Sequence, residues 1–184
     1  MGTTTFNMLF FIMILFATVQ RATSDVPKAN LGYNIQRKLE GAGYISIKFN
    51  QNVNYAGDLK ESQFKQEITQ LVYEGKAHLI SETFEINADV SLDIYFTHPI
   101  KSLEKFFDIT NGYSWLSRIF WADFSNFDSS SLENIQSLFY GCNSLQEVNF
   151  ANFNTSFIIN MANMFYGCSS LKITEFITFL HTIT

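Results

Sequence analysis

The chain has 184 residues, of which 47% are hydrophobic and 16% are charged, and its formal net charge is −5. This balance is typical of a globular chain with enough apolar side chains to build a core. The Lys and Arg side chains do not cluster, so the sequence offers no basic surface for nucleic acid, and we expect no nucleic-acid partner.

An apolar run, Met8–Val19, lies near the start of the chain. It is too short to cross a bilayer, which needs roughly 20 residues. The small residues Ala22, Thr23 and Ser24 follow it, so we predict a signal peptide over residues 1–24. A buried N-terminal helix is the alternative, because no Lys or Arg precedes the run. A signal peptide predicts a secreted or cell-surface protein, with no transmembrane segment beyond it.

Residues 25–88 lack the repeat described below and are predicted to form a β-rich N-terminal capping region. Apolar side chains alternate along Tyr44–Phe49, which predicts a strand, and the same alternation recurs over Leu92–Phe96. The segments Ile68–Tyr73 and Lys76–Ile80 predict a hairpin with its turn at Glu74-Gly75. A helix through the same residues is the alternative.

A repeat of 26 residues occupies the last third of the chain. The tetrapeptide Phe139–Cys142 returns as Phe165–Cys168, and Phe124–Asn149 matches Phe150–Glu175 at eleven positions. A period between 20 and 50 residues is the mark of a solenoid, in which each unit is one supersecondary element.

Apolar spacing inside the repeat predicts one strand and one helix per unit. Val148 and Phe150, two residues apart, indicate a short strand. Apolar steps of three and four over Leu132–Phe139 and Ile158–Phe165 indicate an amphipathic helix. We therefore predict an α/β fold, a short leucine-rich-repeat solenoid preceded by the β-rich capping region.

Two motifs carry a family resemblance. The segments Ser125–Ser130 and Met161–Leu171 resemble the repeats of BspA-like leucine-rich-repeat surface proteins of bacteria and unicellular eukaryotes. The resemblance implies that residues 89–184 hold one divergent, two clear and one partial repeat. Many such proteins mediate adhesion or recognition at a surface. The predicted repeat core comprises Phe124, Phe127, Phe139, Cys142, Leu145, Phe150, Phe153, Phe165, Cys168 and Leu171.

A further unit begins at Leu171 and the chain stops at Thr184. Three units are about the minimum for a stable stack. We therefore expect a truncated piece of a longer protein. The alternative is a true terminus that is covered by a partner or by self-association through the uncapped C-terminal repeat.

One cysteine lies at the same position in each clear unit, Cys142 and Cys168. Adjacent turns of a stack lie close enough for a disulfide, and secretion would permit one. The alternative is a ladder of buried thiols. The family resemblance favours the thiol ladder, because the related repeats keep this residue as a packing position.

The residues that carry enzyme chemistry are sparse. His78, His98 and His181 lie far apart, and none has a Cys, His or carboxylate at ligand spacing. No phosphate-binding loop, nucleophile elbow or metal motif is present in the sequence. We therefore predict no enzymatic activity, no cofactor and no metal. Asn154 begins an N-glycosylation motif, Asn-Thr-Ser, and is a possible modification site.

Outward-facing strand positions of the repeats are the predicted ligand-binding site. An aromatic ring beside acidic and amide side chains is typical of a recognition surface. The alternative is that Trp121 packs under the N-terminal cap. We expect a non-catalytic surface protein that binds protein or glycan on a cell surface or matrix; a component of an extracellular coat, or a non-functional fragment, is the alternative. The candidate residues are Trp121, Asp123, Glu147, Asn149 and Glu175.

Overall fold

A mixed sheet of six strands and a small sheet of two strands organise residues 43–172, which are the residues that the computed structural model describes. The strands are β1 (Tyr44–Phe49), β2 (Val53–Tyr55), β3 (Ile68–Tyr73), β4 (Lys76–His78), β5 (Phe84–Ile86), β6 (Leu92–Phe96), β7 (Ile119–Asp123) and β8 (Glu147–Asn149). Short 3₁₀ helices cover Asp58–Glu61, Ile109–Asn111 and Leu116–Arg118.

The large sheet has the strand order β4-β3-β6-β1-β7-β8, and the small sheet pairs β2 with β5. Every neighbouring pair in the large sheet is antiparallel except β7 and β8, which are parallel. The alternating sequence of β1 explains its central place. Ile45, Ile47 and Phe49 are fully buried on one face, whereas the residues between them are partly exposed.

The predicted hairpin is confirmed, and the helix alternative is wrong. Strands β3 and β4 pair in antiparallel register from Leu71↔His78 to Tyr73↔Lys76. The turn between them has positive φ at both central residues, 50° at Glu74 and 74° at Gly75. Two consecutive positive φ values give the turn whose twist matches that of the flanking strands.

Strands from both sides of residue 88 share the large sheet. Strand β1 comes from the predicted capping region, and it lies between β6 and β7 of the predicted repeat region. The boundaries at residues 24 and 88, and the capping role of residues 25–88, stay predictions. The signal peptide and the segment after residue 172 lie outside the described residues.

The predicted strand-plus-helix solenoid is wrong. The described residues contain no α-helix, and most of their regular structure is sheet. The apolar stripes over residues 132–139 and 158–165 form consecutive turns instead. Left-handed backbone at Ser137 (φ 54°) and Asn163 (φ 59°) interrupts any helical path.

Hydrogen bonding explains why these stripes are not helices. The amides of Ile135 and Phe139 donate to the carbonyls of Asn160 and Met164, at 2.8 Å each, rather than to residues one helical turn back. Parallel bridges join Ser102 to Asn134 and Asn134 to Asn160. Apolar residues at steps of three and four thus point inward from turns whose hydrogen bonds run between segments.

The core under these turns is rich in aromatic rings. Phe139 lies between Phe107 and Phe165, with ring centroids 5.2 and 5.7 Å away and nearly parallel planes. Three of the predicted core residues are only partly buried and pack against its edge: Phe165, Cys168 and Leu171. The other predicted core residues are buried: Phe124, Phe127, Phe139, Cys142, Leu145, Phe150 and Phe153.

Candidate functional site

One face of the large sheet covers the core, and the other carries polar and aromatic side chains. The two faces follow from strand geometry, because successive side chains point to opposite sides. The residues that β1, β6, β7 and β8 contribute to the second face are all partly exposed, and we call them the outer sheet face. They are Tyr44, Ser46, Lys48, Asp93, Tyr95, Trp121, Asp123, Glu147 and Asn149.

Two tyrosine rings stack at the centre of this face. Tyr44 of β1 lies opposite Tyr95 of β6, with ring centroids 4.8 Å apart and planes inclined by 25°. Burial, followed by the charge of Asp93 and the neighbouring Tyr44, raises the pKa of Tyr95 to about 12. Burial, followed by the charges of Asp93 and Asp123, also raises the pKa of Tyr44. The carboxylates of Asp93 and Asp123 thus lie close to the stacked pair.

Two carboxylates flank a serine beside these rings. Ser46 lies opposite Asp93 on one side and opposite Asp123 on the other. Its hydroxyl donates to Asp93 Oδ1 at 2.6 Å. Asp123 Oδ1 accepts a hydrogen bond from the Ser125 amide at 2.7 Å, which fixes the end of β7. Both carboxylates are thus held in place by hydrogen bonds.

A tryptophan and a lysine form the third part of the face. Lys48 lies opposite Trp121 across β1 and β7, and its Nζ is 4.8 Å from the ring centroid. This distance is within the range of a cation–π interaction. Trp121 also lies in register with Glu147 on β8. The ring is therefore held by its cross-strand neighbours and remains partly exposed.

The structure brings four of the sequence-predicted site residues together. Trp121 pairs with Glu147, and Asp123 pairs with Asn149, in the parallel register of β7 and β8. Glu175 lies outside the described residues. Their binding role stays a prediction.

Sequence reasoning missed the part of the face that β1 and β6 supply. Alternation along Tyr44–Phe49 and Leu92–Phe96 identifies the residues that point outward, so the orientation of these side chains could be predicted. The strands that lie next to β1 could not be predicted, because β1 pairs with residues more than 40 positions away. The missed residues are Tyr44, Ser46, Lys48, Asp93 and Tyr95.

Both cysteines are free thiols, as in the thiol-ladder alternative. Cys142 Sγ donates to the Phe107 carbonyl and Cys168 Sγ donates to the Phe139 carbonyl, each at 3.1 Å. Burial raises the pKa of both thiols, that of Cys168 to about 12 and that of Cys142 further. Such thiols are poor nucleophiles at neutral pH.

Two of the three histidines, His78 and His98, lie within residues 43–172. The prediction that His78 has no carboxylate nearby is wrong, because its Nδ1 lies 2.9 Å from Glu82 Oε2. The His78 ring also stacks on Phe84, at 4.2 Å between centroids. His98 Nδ1 bonds the Pro99 carbonyl, and His181 lies outside the described residues. No group of metal-ligating side chains occurs in this part of the chain.

A cleft of about 510 Å³ lies away from the outer sheet face, between the start of β3 and the segment after β6. Phe64 and Ile100 form its apolar part, and Glu67 lines it. Glu67 Oε2 is buried and has no hydrogen-bond partner among the described residues. This oxygen can accept a hydrogen bond from a small ligand.

The possible glycosylation site, Asn154, is exposed. Its Oδ1 accepts a hydrogen bond from the Ser156 amide at 2.9 Å, and its own amide donates to Ser129 Oγ at 2.7 Å. The side-chain nitrogen, to which a glycan would attach, takes part in neither of these bonds.

The fold and the outer sheet face define a class: a β-rich protein with a preorganised aromatic and acidic surface. A family model described as "Mycoplasma protein of unknown function, DUF285" matches residues 77–176, and because the match covers more than half of the chain, the chain belongs to this family. The match is consistent with the resemblance to BspA-like surface proteins, but it does not establish leucine-rich repeats.

No curated protein and no solved structure matched the chain. Within residues 43–172, no helix has the length and apolar character needed to cross a membrane.

Proposed function

We propose that the protein is a non-catalytic recognition protein, secreted or displayed on the cell surface, that binds a protein or glycan ligand through the outer sheet face. Family membership supports a surface role, because the family match is consistent with BspA-like surface proteins. The predicted signal peptide supports export.

The observation that carries this proposal is three aromatic rings on one partly exposed sheet face. Tyr44 and Tyr95 stack on each other, and Trp121 is held beneath Lys48. Tyr and Trp are the residues most enriched among the strong contacts of protein interfaces. Rings already held in place lose little side-chain freedom on binding, which favours affinity.

Attachment of variants to a matrix tests the proposal. Beads that carry the protein are applied to a layer of basement-membrane extract, and the attachment of wild type is compared with that of Trp121→Ala. Removal of an interface anchor typically costs at least about 2 kcal/mol, so attachment should weaken by roughly 30-fold. Protease or glycosidase treatment of the extract then separates a protein ligand from a glycan ligand.

Phe157→Ala is the matched control, because Phe157 is an aromatic residue outside the outer sheet face with 59% of its surface exposed. This variant should attach as wild type does, and both variants should keep the wild-type melting temperature. Unchanged attachment of Trp121→Ala would exclude the outer sheet face as the binding site and favour the extracellular-coat alternative.

Expression in a eukaryotic secretory host tests the export part of the proposal. The protein recovered from the medium should begin near Asp25, since a signal peptide is removed during secretion. Intact Met1 on secreted material would contradict the predicted signal peptide. A mass shift that Asn154→Gln abolishes would identify glycosylation at that residue.

A further inference from the structure

We infer that the cleft between the start of β3 and the segment after β6 binds a small organic cation, such as an amine, through the carboxylate of Glu67. None of the residues that line this cleft belongs to the outer sheet face, so the inference does not depend on the proposed function. The volume of the cleft, about 510 Å³, lies within the range of small-molecule sites, which is roughly 300–1,000 Å³.

Hydrogen bonds tie the two walls of the cleft together. The segment before β3 forms one wall, and the segment after β6 forms the other. The Thr97 amide donates to the Glu67 carbonyl oxygen at 2.8 Å. Gln63 Nε2 donates to the Glu104 carbonyl oxygen, also at 2.8 Å. A ligand therefore meets a cleft whose walls are already held in place.

The carboxylate of Glu67 is the unsatisfied group of this cleft. Its Oε2 is buried without a hydrogen-bond partner among the described residues, and neither of the ion pairs within residues 43–172 includes Glu67. The residue as a whole is partly exposed and lines the cleft, so a bound group can reach its side chain. A carboxylate that leaves water without a partner costs free energy, and a cation bound beside it offsets that cost.

The other lining groups favour a cation over an anion. Lys101 is the one lysine that lines the cleft, and its Nζ lies 2.9 Å from Glu133 Oε1. The second lining carboxylate, that of Glu104, accepts a hydrogen bond from Asn134 Nδ2 at 3.0 Å. His98 is the remaining titratable lining residue, and its Nδ1 lies 3.1 Å from a backbone carbonyl oxygen. The lining thus holds two carboxylates and one ammonium that already has a carboxylate partner.

Other classes of ligand fit this lining less well. A metal ion needs several ligating side chains, and no such group occurs within residues 43–172. A neutral ligand would contact the apolar part of the cleft, which Phe64 and Ile100 form, but it would leave the Glu67 carboxylate without a partner. An organic cation with an apolar part engages both.

Titration of the wild-type protein with benzylamine, followed by nuclear magnetic resonance, tests the inference. Benzyl alcohol is the matched neutral ligand, because it carries a hydroxyl in place of the ammonium group on the same ring. We expect benzylamine to bind about tenfold more tightly, since hydrogen bonds between charged groups are the stronger ones. The amide shifts that benzylamine causes should be largest at residues 63–67 and 98–104. Shifts centred elsewhere, or equal affinity for the two ligands, would overturn the inference.

Glu67→Gln isolates the carboxylate, because glutamine keeps the length of the side chain and removes its charge. This variant should bind benzylamine about tenfold more weakly than wild type does, and its affinity for benzyl alcohol should stay unchanged. Glu61→Gln is the matched control, since it removes the same charge from an exposed residue that does not line the cleft. It should bind benzylamine as wild type does, because salt screens charges outside the site.

The two variants decide between a specific site and a general effect of charge. Equal weakening by Glu67→Gln and Glu61→Gln, or no weakening by Glu67→Gln, would overturn the inference. If Glu67→Gln fails to fold, the comparison of benzylamine with benzyl alcohol and the position of the amide shifts in the wild-type protein decide the outcome.

Discussion

Phe139 shows how much stability one side chain of this core contributes. It is fully buried and stacked between two phenylalanine rings. Phe139→Ala should lower the free energy of unfolding by about 3–5 kcal/mol, because it removes apolar contacts and leaves a cavity. Urea unfolding followed by tryptophan fluorescence measures this loss.

Two further variants calibrate the result. Phe165→Ala should cost less than Phe139→Ala, because the Phe165 side chain is only partly buried. Phe157→Ala should cost little, because that ring is largely exposed. Equal losses for Phe139→Ala and Phe165→Ala would contradict the difference in burial between the two rings.

The two thiols should react slowly in the folded protein. Because burial raises the pKa of Cys168 to about 12 and that of Cys142 further, almost no thiolate is present at neutral pH. We expect slow reaction with a disulfide reagent such as Ellman's, slower for Cys142 than for Cys168, and fast reaction of both in urea. Fast reaction of both in the folded state, or an existing disulfide in non-reducing peptide mapping, would contradict the structure.

Two glycines with the same φ test the close contact between Gly57 and the loop after β4. Gly57 and Gly75 both have φ of 74°, so substitution by alanine causes similar backbone strain at each position. A Cβ at Gly57 would lie 2.7 Å from the Ser81 carbonyl oxygen, whereas a Cβ at Gly75 meets nothing within 4 Å. Gly57→Ala should therefore destabilise the protein more than Gly75→Ala, by about 1–3 kcal/mol. Equal thermal midpoints for the two variants would contradict the close approach of the Ser81 carbonyl to Gly57.

Strands and turns could be predicted from the sequence where the local residue pattern allows only one backbone conformation. Alternation predicted β1 and β6, and Glu74-Gly75 predicted the hairpin turn. The stripes over residues 132–139 and 158–165 were misinterpreted, because apolar steps of three and four suit both a helix and a series of turns. Which one forms depends on where the backbone amides donate, and here they donate to another segment.

Alkaline pH should destabilise the whole molecule through tyrosines that are fully or partly buried. Burial raises the pKa of Tyr95 from 10.0 to about 12, and it also raises the pKa of Tyr44, Tyr55 and Tyr113. An unfolded tyrosine ionises near 10, so the unfolded state releases protons first as pH rises. The stability that these groups contribute is present below pH 10 and is lost as pH rises from 10 towards 12.

Urea midpoints across this pH range measure the effect. The midpoint should fall as pH rises through the range, and Tyr95→Phe should make the fall shallower because it removes one ionising group. A midpoint that stays level over this range, or a slope that Tyr95→Phe leaves unchanged, would contradict the raised pKa of Tyr95.

The candidate site could be predicted in part. The outward positions on β7 and β8 could be predicted from the 26-residue repeat. Trp121 pairs with Glu147, the residue at the same position of the next repeat. The tyrosine pair and Asp93 could not be added to them, because β1 belongs to the predicted capping region and nothing in its sequence identifies β6 and β7 as its neighbours. Only the insertion of β1 between β6 and β7 places all these residues on one face.

The sequence by itself determined the local features: alternating strands, the hairpin turn, most of the phenylalanines that enter the core, and membership of the family. Local spacing dictates these features, because burial selects apolar side chains at fixed intervals along each element. The tertiary structure alone decided that the stripes are turns and that four strands distant in sequence build one aromatic and acidic face. Those outcomes depend on hydrogen bonds between segments far apart in the chain, and no local periodicity specifies their partners.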